Sequence, residues 1–203
     1  MRCEQIAWLA VAILCSQHVA AQFVLFPKAG ALASPDGRFT IRNAEREAPA
    51  AQFSGSFHSL WLAEPATGRS QKLVDYFGLA AVAWSGNDFI LVTEYLSKKT
   101  SRAMLFSTAH PDNAIVIDKP TLTQAVPPDL RPSLRDNDHV FIEASRVDNG
   151  VLQLSVWGYG QHDSDGFRWH CEYSLSERTL QCAARSGTSA DREGPPIRNP
   201  LTP

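Results

Sequence analysis

The sequence predicts an all-β protein built from about three antiparallel sheets. A polar turn followed by an apolar, strand-forming run occurs three times in altered form. Ser34-Pro35-Asp36-Gly37-Arg38 precedes Phe39-Thr40-Ile41-Arg42, Gly86-Asn87-Asp88 precedes Phe89-Ile90-Leu91-Val92, and Asp148-Asn149-Gly150 precedes Val151-Leu152-Gln153-Leu154. The turns lie about 50 and then about 60 residues apart, a spacing found in arrays where each sheet buries a face against its neighbours. Helical periodicity is nowhere sustained. Together these observations predict three units in a propeller-like array, left open or as a half-propeller, because closed rings need at least four units.

The first unit is expected from about Phe23 to Leu73. Its second half, Ser59-Leu60-Trp61-Leu62 and Ser70-Gln71-Lys72-Leu73, flanks the turn Pro65-Ala66-Thr67-Gly68-Arg69, with Gly where a positive φ is needed. Asn43 to Ser56 is polar with Ala and Pro and reads as a long loop. The second unit has strands at Val82-Ala83-Trp84-Ser85, Phe89 to Glu94, Ala103-Met104-Leu105-Phe106 and Ile115-Val116-Ile117. Four prolines between Asp118 and Asp138 predict a connector with at most a short helix. The third unit comprises Val140 to Val147, Val151 to Trp157 and a hairpin from Phe167 to Cys182. Residues 183–203 are rich in Gly, Ser, Pro and charge and predict a disordered tail.

Residues 1–21 read as an export signal: Arg2 gives a basic start, Ile6 to Leu14 forms an apolar core, and Val19-Ala20-Ala21 supplies the small residues a signal peptidase reads. Cleavage after Ala21 leaves residues 22–182 as the folded repeat domain, in the periplasm or secreted. The apolar run falls short of the roughly 18 to 20 residues of a membrane span. Two of the four cysteines leave with the signal. Cys171 and Cys182 then sit opposite one another on a hairpin turning near Ser176-Glu177, and an oxidising compartment permits the disulfide. The formal charge of −2, without Lys/Arg runs, excludes the electrostatic footprint of a nucleic-acid or anionic-membrane binder.

The Ser34-Pro35-Asp36-Gly37-Arg38-Phe39 turn, Val82-Ala83-Trp84-Ser85 and Pro65-Ala66-Thr67-Gly68-Arg69 together resemble TolB-type and WD-like propeller blades, in which such turns recur. The chain is also similar to small exported bacterial proteins of that kind without an assigned function. The resemblance spans most of residues 22–182 and implies architecture rather than activity. With about three units, it implies either an open array or self-association with a second copy to complete a propeller.

Catalytic motifs are lacking: the sequence has no Gly-x-Ser-x-Gly elbow, His-Glu-x-x-His helix, phosphate loop or dinucleotide fingerprint. No catalytic residue, cofactor or metal is therefore expected. Asp163, Asp165 and Gly166 have calcium-loop spacing but lack the later bidentate Glu, and a solvated connection explains them. Asp136-Asn137-Asp138-His139 pairs carboxylates with an imidazole, yet no nucleophile is placed beside it and a polar turn suffices. His58, His110 and His170 are isolated, and Ser34 and Ser85 are expected to form turns. The best candidate surface is the loop Gly158 to Gly166 with its flanking aromatics, namely Trp157, Tyr159, His162, Asp163, Asp165 and Phe167. It predicts a non-catalytic module that binds an unidentified protein, an inhibitor or immunity protein being one variant. The alternative is a periplasmic hydrolase whose residues converge only in three dimensions.

Overall fold

A computed structural model describes residues 21–46, 57–160 and 166–184. The chain is all-β, in three antiparallel sheets. The first is a meander of β2 (Ala31–Ala33), β3 (Thr40–Arg46), β4 (Phe57–Glu64) and β5 (Arg69–Phe77). The central sheet contains β6 (Leu79–Ser85), β7 (Phe89–Tyr95), β8 (Ser101–Ser107) and β9 (Ile115–Ile117), with β1 (Val24–Phe26) added beside β6. The third runs through β10 (His139–Asp148), β11 (Val151–Tyr159), β12 (Phe167–Ser174) and β13 (Thr179–Ala184). Each of the three predicted turns joins the first two strands of its meander. The necessary left-handed positions are taken by Gly37 (φ 73°), Gly86 (φ 63°), and Asn149 (φ 49°) with Gly150 (φ 75°).

The central sheet is buried on both faces, which explains why β6 and β7 read as continuous apolar runs. On one face Val82, Trp84, Ile90, Val92, Met104 and Phe106 pack against Ile41, Leu60 and Leu62 of the first sheet. The opposite face meets the third sheet differently, because β10 approaches it edge-on. Val140 N–H donates to the Lys99 carbonyl at 2.8 Å, Ile142 N–H to Ser101 Oγ at 2.8 Å, Ala144 N–H to Thr93 Oγ1 at 3.2 Å and Val147 N–H to Ser85 Oγ at 2.8 Å. The Ser101 and Ser85 hydroxyls donate back to the carbonyls of Ile142 and Val147. A β-bulge between Ala144 and Arg146 inserts Ser145, so that Val147 instead of Arg146 presents its amide on this edge.

Ser85, Thr93 and Ser101 lie on β6, β7 and β8 respectively and form a diagonal across the sheet. It divides that face into two corners. In one, Leu91, Ala103, Leu105 and Ile117 pack with Ile142, Leu152, Leu154 and Trp169. In the other, Leu79, Ala81 and Tyr95 pack with Phe141 and Trp157, and Phe23 and Leu25 lie against them.

Three details differ from the sequence reading. The Val24–Phe26 strand belongs to the second unit, not the first: Val24 pairs with Val82, and its two faces feed two separate cores. β3 continues to Arg46 into the expected loop, since it pairs with β4 along its whole length, while residues 47–56 lie outside the described ones. The proline-bearing connector holds two short helices, α1 (Lys119–Ala125) and α2 (Arg131–Asp136). Both have a proline in the first turn, where its missing N–H costs no helical bond, and Asp118 caps α1 through Thr121 N–H. Their buried Leu122 and Leu134 close the first corner. The predicted signal (1–21) and tail (183–203) lie largely outside the described residues.

Candidate interaction site

The register of β10 on β11 sets three pairs on one face: His139 opposite Tyr159, Phe141 opposite Trp157, and Glu143 opposite Ser155. Alternate residues of a strand share a face, so the pairs stack along it. His139 and Tyr159 have ring centroids 4.4 Å apart and planes 9° from parallel. Phe141 and Trp157 are 4.2 Å apart at 23°, and Tyr159 lies 6.1 Å from Trp157 at 13°. The result is a ladder of four rings, buried at Phe141 and open at Tyr159, which is 38% exposed.

Charge surrounds the open end. Lys99 Nζ lies 2.8 Å from Asp138 Oδ2, and Asp138 Oδ1 lies 2.9 Å from His139 Nδ1. The hydrogen bond from Lys99, aided by that from His139, lowers the Asp138 carboxyl to about 2. Beyond the covered end is Glu143, pushed up from the ordinary carboxylate value by burial, against the hydrogen bonds it accepts from Trp157 and from Tyr95 Oη at 3.3 Å. Burial likewise raises the Tyr95 hydroxyl.

Among the six residues predicted for this surface, Trp157 belongs mainly to the core and Phe167 packs on Trp169 at 4.4 Å. Tyr159 carries the exposed area. His162, Asp163 and Asp165 lie outside the described residues. The glycines serve internal packing: a Cβ on Gly158 would meet His139 O and the Phe167 ring at 2.5 Å, and one on Gly160 would meet Asp136 O at 3.1 Å. Sequence reading missed His139, Glu143, Lys99 and Tyr95 as neighbours of this loop. The alternation His139-x-Phe141-x-Glu143 against Ser155-x-Trp157-x-Tyr159 carries the signal for the first two, whereas Lys99 and Tyr95 arrive from another sheet.

The remaining candidates have structural partners. Cys171 pairs directly with Cys182 across β12 and β13, Cα to Cα 4.1 Å, and the two form a disulfide. Ser34 Oγ donates to Asp36 and accepts from Phe39 N–H, a turn-forming role as expected, but Ser85 joins two sheets instead. His58 stacks on Tyr76 at 5.3 Å, and Asn43 links the two through Tyr76 Oη at 2.6 Å and His58 Nδ1 at 3.3 Å. Among the described residues no cluster of metal-ligating side chains is present, and no helix is long and apolar enough to cross a membrane.

No protein-family model, curated protein or solved structure matches this chain. The ring ladder and its charged rim therefore stand as the basis for a functional reading.

Proposed function

We propose that the protein is an exported, non-catalytic β-repeat protein that binds another protein through the Tyr159 end of the ring ladder. One observation carries this reading: an exposed Tyr ring held flat on His139, beside the Lys99–Asp138 ion pair. A pre-stacked Tyr loses little side-chain freedom on binding, and aromatic anchors within a polar rim are the usual energetic centres of interfaces. The disulfide is compatible with an oxidising destination.

What supports the resemblance to TolB-type and WD-like blades is three antiparallel meanders, each with a left-handed glycine in its first turn. The edge-on seat of β10 departs from face-to-face stacking of blades. We therefore read the three sheets as an open array rather than a ring. A neutralising role against an exported toxin is one form of this binding function. For the hydrolase alternative, the Asp138–His139 pair supplies an oriented imidazole, but among the described residues no hydroxyl or thiol bonds to that ring.

Affinity capture from periplasmic extract tests the reading, comparing the wild type with Tyr159→Ala and with His139→Ala plus Tyr159→Ala. Removing an anchor should weaken retention of a saturable partner by about tenfold or more, with an unchanged melting profile in the single variant. Equal retention by the folded variants would refute the assignment.

A further inference from the structure

The connector between β9 and β10 builds a second feature that the ring ladder does not use. Between α1 and α2 lies a groove of about 510 Å³, lined by Lys119, Arg131 and Arg135 together with Leu134, Pro128 and Pro132. No carboxylate lines it. Backbone carbonyls hold two of the cations in place without neutralising them: Lys119 Nζ donates to Asn137 O at 3.4 Å, and Arg131 Nε to Val126 O at 3.3 Å. Arg131 keeps its terminal guanidinium nitrogens without an acceptor among the described residues. Arg135 is paired with Asp136, its sequence neighbour, at 2.7 Å. Leu122 and Leu134 anchor both helices in the core, so the groove is preorganised.

We propose that this groove is a binding site for a phosphate monoester. Three cations less the Asp136 carboxylate leave a net charge of +2, and a phosphate monoester carries about −1.5 to −2 near neutrality. A monocarboxylate would leave one of those charges uncompensated. Guanidinium forks match pairs of phosphate oxygens, while Lys contributes a point charge.

The test uses the mature chain with inorganic phosphate and glycerol 1-phosphate as probes, followed by thermal shift and calorimetric titration against sodium chloride at equal ionic strength. Phosphate should raise Tm in a saturable way that chloride does not reproduce. Arg131→Gln with Arg135→Gln should weaken affinity at least tenfold, and Lys119→Gln, which keeps the Arg131 tether to Val126, should weaken it severalfold. Asp136→Asn should tighten it. An equal rise with chloride, or affinity unchanged in folded Lys119→Gln, would overturn the site. Phosphatidylcholine vesicles containing phosphatidic acid separate the two sources of such a group. Vesicle binding that glycerol 1-phosphate competes away identifies a lipid headgroup, and phosphate binding without vesicle binding identifies a soluble ester. Vesicle binding that soluble phosphate leaves untouched would overturn the proposal.

Discussion

At the scale of single residues, Glu143 within β10 and Asp138 just before it titrate in opposite senses. Burial raises the Glu143 carboxyl above its ordinary value, so the folded protein holds that proton more firmly than the unfolded chain does. Its contribution is present below the unfolded value and is lost as pH rises through the folded one. Asp138 behaves inversely: with its carboxyl lowered to about 2, its contribution is present above the ordinary Asp range and is lost as pH falls toward 2. Solvent exposure of that pair keeps the effect small. Glu143→Gln should therefore gain stability relative to wild type as pH is raised from 4 to 8, measured by urea unfolding across that range. Parallel curves for the two proteins would show that Glu143 ionises as freely as it does in water. Sequence gave little warning of this residue, since Glu at the end of Val140-Phe141-Ile142 looks like a solvent position. Tyr95, which covers it, comes from a strand of the central sheet.

The decisive element is β10, whose free edge is closed by three side-chain hydroxyls and the Lys99 carbonyl rather than by a further strand. An open edge recruits foreign strands, and capping it removes that hazard while setting the angle between two sheets. Thr93→Val keeps shape but removes the acceptor for Ala144 N–H, leaving a buried donor unpaired. The expected cost is about 1–3 kcal/mol, read from the denaturant midpoint, with faster exchange of the Ala144 amide. A loss under about 0.5 kcal/mol would mean that water or a shifted backbone replaces the bond. Elements whose chemistry is local were legible: the three turns, the β4–β5 hairpin around Gly68, and the opposed Cys171 and Cys182. The hydroxyls were not, because Thr and Ser within a strand look the same whether they face solvent, a turn or another sheet's backbone. The two helices were hidden for another reason, since prolines that normally signal a break here sit in first turns.

For the whole molecule, one sheet serves as the wall of every core. The first sheet covers one face; the third sheet stands on the other and creates two corners, one sealed by α1 and α2 and one by the N-terminal strand. The disulfide holds the outer hairpin of the third sheet, closing a loop that contributes about 2–3 kcal/mol in the chain-entropy model. The three-sheet class could be read from repeated turns, yet the way the sheets meet depends on contacts far apart in sequence, such as Ser85 with Val147. The placement of β1 shows the same limit and has a temporal side. Val24 has no partner until Val82 has been delivered, and Phe23 and Leu25 have no corner to fill until Phe141 and Trp157 are present. The earliest described segment is thus expected to be the last to settle, a latch on a body that is otherwise assembled. Pulse-labelled amide exchange during refolding should show protection of the β1 amides that bond to β6 lagging behind that of Val92 and Leu154, and simultaneous protection would mean that the segment docks with the main collapse. On the export reading proposed above, a latch of this order would let a chain threaded N-terminus first arrive entire before its beginning is locked in.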